Sequence, residues 1–344
     1  LSALRDGVAG ARDLTFAPGY VVESDEADPA LVAEAVEAAR DAEVVVVFLG
    51  LPPSYESEGY DRDHMDLPAH QVELLEEVAA VNRNIAVVLS NGSVVTLHPW
   101  QDDARAVVEG WLLGQAGGSA IADLLLGVAA PSGKLAETVP LRYADNPTVG
   151  AFPGEHGQVR YGEGLLVGYR WYDTHDLDVA YPFGHGLSYT TFDVSDVSTT
   201  VHDDGADSAV EVEFTVTNTG GRAGAEVVQV YVRDVEASVF RPEQELKAFA
   251  KVALEPAEST RVTLRLDARA FSYWHSAMRR WVVEGGAFEI KAGVSSRDIR
   301  AIERIELSGE NVVPDLAPDS SAAAWLSHPV AGPRRRRVGD VRRV

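Results

Sequence analysis

With 344 residues, 46% of them hydrophobic, the chain is long enough for two separately cored domains, and its lack of cysteine excludes a disulfide framework, a thiolate metal site and a cysteine nucleophile. A net charge of −23 opposes a polyanionic partner, so no nucleic acid is expected. The longest apolar run, 44–49, falls far short of the ~20 residues a membrane helix needs, so no membrane partner is expected either.

Residues 1–12 read as a short helix, 14–20 as a strand, and 29–40 as a helix with Asp28 as its cap and Pro29 in its first turn. The run Glu43-Val-Val-Val-Val-Phe-Leu-Gly50 is continuous and rich in β-branched residues, which predicts a parallel strand buried on both faces. Val72, Leu74, Leu75, Val78 and Ala79 follow helical spacing within 68–81, and 85–90 is a second buried-strand run. A third strand is predicted at 106–111, then a helix over 118–126 that stops at Gly127. This order of strand and helix implies a mainly parallel sheet covered by helices.

From about residue 192 the period changes to two. Glu211-Val-Glu-Phe-Thr-Val-Thr-Asn218 alternates strictly, as do 227–232, 261–266 and 287–292, with turn signals at Asp203-Asp-Gly205 and Asn218-Thr-Gly-Gly221. The pattern predicts an antiparallel β-sandwich of about seven strands. The intervening stretch 141–189 is rich in Gly, Pro and aromatic residues and has little periodicity. The expected division is an α/β domain over 1–190, a sandwich over 191–310 and a linker or disordered tail over 311–344. The basic run Arg334-Arg335-Arg336-Arg337, with Arg342 and Arg343, reads as part of that disordered end. Position 1 is not methionine and no signal-like segment follows, so the chain is expected to begin inside a longer protein or after processing. The absence of cysteine favours a reducing compartment such as the cytoplasm.

The segment Ser54-Tyr-Glu-Ser-Glu-Gly-Tyr-Asp-Arg62 directly follows the first buried strand. Loops at the carboxyl ends of parallel strands are where ligands bind, because the sheet fixes side chains that converge there. A carboxylate used as a general acid needs burial or a like-charged neighbour, and Glu56 and Glu58 are two apart. Asp61 beside Arg62 reads as a charge pair bracing the loop, and Tyr55 and Tyr60 read equally as sugar-stacking or as packing aromatics. On local chemistry alone a solvated acidic surface loop is the commoner reading. His64, His70, His98 and His156 lack ligand spacing, so neither a metal nor a cofactor is expected. Gly114 to Gly118 lacks the Lys and Ser/Thr of a phosphate loop, and Ser90-Asn-Gly92 reads as a tight turn using positive φ. Trp274 and Trp281 are taken as structural residues of the sandwich.

Glu58-Gly-Tyr-Asp-Arg62 followed by Leu67-Pro-Ala-His-Gln71 resembles the Glu-Gly-x-Asp-Arg and Leu-Pro-x-x-Gln pattern in the second domain of glycoside hydrolase family 3 enzymes of the β-glucosidase type. Ser90-Asn-Gly92, Gly114-Gln-Ala-Gly-Gly118, Pro131-Ser-Gly-Lys-Leu135, Tyr161-Gly-Glu-Gly164, Val167-Gly-Tyr-Arg-Trp-Tyr172 and Pro182-Phe-Gly-His-Gly-Leu-Ser-Tyr189 extend the likeness in order along the chain. The resemblance implies a mainly parallel six-stranded α/β sandwich followed by a fibronectin type III-like β-sandwich. It implies a retaining mechanism in which Glu58 is the general acid/base, Glu56 being the runner-up; beside it, Tyr60, Tyr55 and Glu56 are expected at the substrate, and Asp61 and Arg62 are expected to brace the loop. The nucleophile would be an aspartate of a barrel domain that this sequence lacks, supplied upstream in the same chain or by a separate one. Alone, the chain is therefore expected to be inactive toward a β-glucoside or β-xyloside substrate. The rival expectation is a non-catalytic carbohydrate- or protein-binding scaffold.

Overall fold

The computed structural model describes residues 1–8, 14–202, 209–276 and 278–310. The whole expected tail with its Arg-rich run, the Asp203-Asp-Gly205 turn and the end of the first predicted helix lie outside the described residues. The chain forms two compact units, one made of 1–129, 139–150 and 178–181, the other of 130–138, 151–177 and the chain from 182 onward.

The first unit contains α1 (Ser2–Val8), α2 (Pro29–Arg40), β1 (Val45–Gly50), α3 (Ala69–Val81), β2 (Ile85–Ser90), β3 (Ala106–Glu109), α4 (Gly117–Leu125), β4 (Val139–Pro140) and β5 (Val179–Tyr181). β1, β2 and β3 lie side by side in that order and run parallel, with Val45 opposite Ile85 and Ala86 opposite Ala106. The described parallel sheet therefore has three strands rather than the expected six. Two features account for part of the difference. Residues 14–19 form no ladder despite their strand-like composition, although Tyr20 donates from Oη to Phe48 O at 2.9 Å. β4 and β5 pair with each other as a separate antiparallel ribbon.

β2 is the central strand and buries Ile85, Val87, Val88 and Leu89. β1 holds an edge, so only alternate residues are covered: Val47 and Leu49 are buried while Phe48 is 47% exposed. The expectation of burial on both faces thus fits β2 and not β1. α2 starts as predicted, with Asp28 Oδ1 accepting from Ala30 N at 2.9 Å and Leu31 N at 3.4 Å. α3 buries Leu74, Leu75, Val78 and Ala79, together with His70 and Gln71. Each fully buried aliphatic side chain of this kind contributes roughly 1.5–3 kcal/mol of transfer free energy.

The second unit contains α5 (Tyr169–Thr174), β6 (Phe192–His202), β7 (Ala209–Asn218), β8 (Gly224–Asp234), β9 (Glu245–Leu254), β10 (Ser259–Asp267), α6 (Ala268–Phe271), β11 (Tyr273–His275), β12 (Arg280–Val282), β13 (Gly286–Gly293) and β14 (Ile299–Leu307). A three-stranded sheet β10-β7-β6 and a four-stranded sheet β14-β13-β8-β9, both antiparallel, enclose a core that includes Val212, Phe214, Val216, Val230, Phe288 and Ile290. The predicted alternation and strand number are both present. At the Asn218-Thr-Gly-Gly221 turn the buried Asn218 amide donates to Arg222 O at 2.7 Å and Leu254 O at 3.1 Å.

Residues 130–138 and 151–177 precede this sandwich in sequence but belong with it in space. α5 docks through its polar side chains: Leu246 N donates to Tyr169 Oη at 2.7 Å, Glu243 N to Thr174 Oγ1 at 3.0 Å and Arg297 Nε to Asp173 Oδ1 at 2.9 Å. Trp274 and Trp281 fill no core. They face each other across the β11/β12 ribbon with centroids 5.4 Å apart, 50% and 43% exposed, and the Arg269 guanidinium lies over the Trp281 ring.

Candidate functional site

The carboxyl ends of the three parallel strands are Gly50, Ser90 and Glu109, and the chain leaves each of them in a loop. The end of β1 is fixed by Gln71 on α3, which is 1% exposed: its Nε2 donates to Gly50 O and its Oε1 accepts from Gly50 N, both at 2.9 Å. Leu51 N then donates to Ser90 O at 3.1 Å, which keeps the first loop beside the end of β2. A turn closes at once, with Tyr55 N and Glu56 N donating to Pro52 O at 2.8 and 3.1 Å.

Beyond that turn the loop holds the segment 91–94 at two points. Glu56 Oε2 accepts from Gly92 N at 2.7 Å, and Arg62 Nη2 donates to Ser93 Oγ at 2.6 Å and to Val94 O at 3.2 Å. Burial holds the Arg62 guanidinium below its usual range, an effect that the charge of Glu56 partly offsets. Further along, Thr96 N donates to Met65 O at 2.7 Å. The segment 91–94 is backed from the third loop as well. The fully buried Asn91 amide donates to Ser93 O at 2.9 Å and to Glu109 Oε2 at 3.4 Å, while Glu109 Oε1 accepts from Trp111 N at 2.8 Å. Trp111 has φ of 52°, a strained conformation for a bulky residue, which that hydrogen bond helps to hold.

Glu58 stands between the two anchors and is exposed; among the described residues its carboxylate makes no hydrogen bond or ion pair. Gly59 follows it with φ of 99°, a conformation that a side chain would strain, so the loop reverses immediately after Glu58. Tyr60 is 47% exposed and donates from Oη to Pro53 O. Tyr55 lies edge-on to His64 with centroids 5.5 Å apart, and burial, reinforced by the Asp25 carboxylate, pushes its hydroxyl pKa up. Asp61 is exposed and forms no ion pair with Arg62, so the expected bracing pair does not exist in that form; Arg62 braces the loop through Ser93 and Val94 instead.

The structure thus holds Glu56 and Arg62, on either side of Glu58 in the chain, by hydrogen bonds to the segment 92–94. It also corrects the reading of Ser90-Asn-Gly92. Neither Asn91 nor Gly92 adopts positive φ; a Cβ on Gly92 would lie 2.3 Å from Glu56 Oε1, so the small residue makes room for that carboxylate. Asn91, Glu109 and Trp111 were not singled out as site residues from sequence, although each lies at or just beyond the carboxyl end of a parallel strand. Among the described residues no group of His, Asp and Glu is arranged to hold a metal. Two hollows of this unit lie elsewhere, one lined by Asn82, Arg83, Asp102 and Arg105 next to the amino ends of β2 and β3, the other between α1 and α4.

Residues 3–189 match the glycosyl hydrolase family 3 C-terminal domain, and 226–296 match the fibronectin type III-like domain. The chain is 50% identical over 314 residues to an exo-α-(1→6)-L-arabinopyranosidase of Bifidobacterium breve, covering 91% of this chain and 41% of that protein. It is 47% identical over 342 residues to the thermostable β-glucosidase B of Acetivibrio thermocellus, covering 96% of this chain and 44% of that one. The crystal structure of the family 3 β-glucosidase of Bifidobacterium adolescentis superposes with a TM-score of 0.87 at 50% identity, over 95% of this chain and 48% of that chain. The chain thus spans less than half the length of these relatives, and it belongs to glycoside hydrolase family 3, of which it holds the C-terminal domain and the fibronectin type III-like domain.

Proposed function

We propose that this chain supplies the general acid/base, Glu58, to a retaining glycoside hydrolase that removes terminal sugars. The nucleophile would be an aspartate in the part of the relatives that the chain does not match. The observation that carries this reading is the contrast between the two glutamates of the loop. Glu56 already accepts the Gly92 N–H, whereas Glu58 has no partner among the described residues. To donate a proton from Oε2, Glu56 would first have to break that bond and release the loop. Glu58 can do so without disturbing its support.

In a retaining mechanism the two carboxyl groups lie roughly 5–5.5 Å apart. One attacks the anomeric carbon while the other protonates the departing oxygen, and the second then removes a proton from the water that frees the sugar. With a single candidate on this chain, the polypeptide alone is expected to leave aryl β-glucosides intact. Measurable turnover by the purified chain would overturn that expectation. The names of the relatives point to β-glucosides and α-L-arabinopyranosides as substrates, and β-xylosides fit the same chemistry.

The test uses a polypeptide in which this chain is joined, as in the relatives, to the part of a relative that it does not match. Glu58→Gln should lower hydrolysis of alkyl glycosides by about 10²–10⁴-fold. An activated aryl glycoside should suffer less in its first step, and azide should restore turnover by attacking the glycosyl-enzyme. Unimpaired hydrolysis of alkyl glycosides by Glu58→Gln would refute the assignment.

A further inference from the structure

We propose that Glu56 serves the reaction as a positioning residue, gripping the 91–94 segment so that Glu58 is held at a fixed place, and not as a ligand of the sugar. The inference rests on the reading of Glu58 as acid/base. Glu56 and Arg62 flank Glu58 in sequence and grip the same short segment, one at Gly92 N and the other at Ser93 Oγ and Val94 O. Between these anchors the side-chain ties are local: Ser57 Oγ to Glu58 O at 3.5 Å, and Tyr60 Oη to Pro53 O. The position of Glu58 is therefore set by its two flanks, as the position of a span is set by its supports.

The segment they grip is itself fixed. Asn91 is fully buried and ties it to Ser93 O and to Glu109, which also holds Trp111 N. Gly92 offers a second, independent observation. The space where its Cβ would stand is filled by the Glu56 carboxylate, with Oε1 at 2.3 Å, so the two residues are fitted to one another. A half-buried carboxylate placed in this way, accepting a backbone N–H and facing the Arg62 charge, is committed to the protein rather than to a sugar hydroxyl.

The experiment uses the joined full-length enzyme and an aryl glycoside and an alkyl glycoside that it cleaves. Glu56→Ala removes the grip, and Gly92→Ala expels the carboxylate while leaving Glu56 in the sequence. Each is expected to lower kcat for the alkyl glycoside by about 10- to 100-fold, the scale of a misplaced catalytic group, with KM within threefold of the parent. The aryl glycoside should lose less. The double variant should be no worse than the poorer single one, because both changes break the same contact. Glu56→Gln still presents an oxygen to the Gly92 N–H and should recover at least tenfold of the loss. A rise in KM for Glu56→Ala and Glu56→Gln with kcat unchanged, and no effect of Gly92→Ala, would make Glu56 a sugar ligand and overturn the proposal. Equal losses on both substrates in all variants would reduce the contact to general stability and would also overturn it. Failure of Glu58→Gln to impair the alkyl glycoside sinks the acid/base reading itself, which separates that outcome from failure of the positioning role alone.

Discussion

Gln71→Leu tests how the end of β1 is held. The side chain is 1% exposed and makes two hydrogen bonds of 2.9 Å to the N–H and the C=O of Gly50. Leucine has a similar volume, so little cavity is created and the loss falls on the backbone groups left behind. An orphaned buried donor or acceptor costs about 1–3 kcal/mol, which for two groups gives about 2–6 kcal/mol. Gly50 is only partly buried, so water reaches some of the exposed polarity and the lower range, about 2–4 kcal/mol, applies. At about 1.4 kcal/mol per tenfold, amides at the carboxyl end of β1 should lose about 30- to 800-fold of their protection against hydrogen exchange. Mass spectrometry of peptides spanning 45–50 reads that loss, with peptides from β7 and β13 in the same sample as internal controls from the other unit. If protection over 45–50 changes by less than threefold, the Gln71 clamp does not hold the strand end and the account of how the loop begins is wrong.

Arg241→Met should cost the second unit about 3–5 kcal/mol, because the side chain is 5% exposed and serves Asp234, Glu245 and Phe271 O at 3.2, 2.8 and 2.9 Å. Without it Asp234 keeps the burial and the Glu284 charge that raise it, and Glu245 keeps only Lys247 and Arg170 against its burial, so both carboxylates hold a proton more readily in the folded variant than in the folded parent, and the deficit in melting temperature should be larger at pH 7 than at pH 5. A deficit independent of pH would contradict this. His185 is held below its ordinary value of 6.5 by burial and by Lys134, against the opposing charge of Asp298. Below pH 6.5 the unfolded chain therefore takes up a proton that the folded chain refuses, and stability falls as pH drops from there toward the folded-state value. His185→Gln should flatten that part of the melting curve against pH, and an unchanged slope would refute the assignment. A chain truncated at residue 190 should lose exchange protection over 169–177 while keeping it over 85–90, since α5 docks on strands and loops beyond the cut.

Most of the local structure was legible because its causes are local. The Asp28 cap and the apolar spacing of α2 and α3 suffice to form those helices, and strict alternation suffices for β7 and β13. What could not be read depended on partners distant in sequence. A run such as Val-Val-Val-Val-Phe-Leu is equally compatible with a central or an edge strand, and only the order β1-β2-β3 makes Phe48 an exposed edge residue. Residues 14–19 have strand composition but find no ladder. Within the site, adjacency suggested that Asp61 pairs with Arg62, yet neighbouring side chains on an extended loop diverge, and Arg62 found Ser93 and Val94. Gly92 was visible as a turn residue, whereas its reason, the Glu56 carboxylate in the space of its missing Cβ, comes from a loop after a different strand.

The same device supports irregular backbone in both units. A loop has no ladder to satisfy its N–H and C=O groups, and a buried group left unpaired is costly, so the partner must come from a side chain. Asn and Gln suit this because one amide both donates and accepts. Gln71 does both for Gly50, while Asn91 donates to Ser93 O, Asn218 to Arg222 O and Leu254 O, Gln229 to Gly184 O and Val294 O at 3.2 and 2.9 Å, and Gln244 to Ser296 O at 2.6 Å. All five side chains are at most 4% exposed, which for uncharged polar residues makes sense only if they are structural staples. The short helix α5 follows the same logic. Its length lies well below the ~12–15 residues an isolated helix needs, so its order derives from the polar contacts that bind Tyr169, Asp173 and Thr174 to the sandwich. In the first unit the loop after β1 is tied down in the same way, Glu56 to Gly92 N and Arg62 to Ser93 and Val94, which leaves the exposed Glu58 carboxylate between two anchored flanks and available for the acid/base role proposed for it.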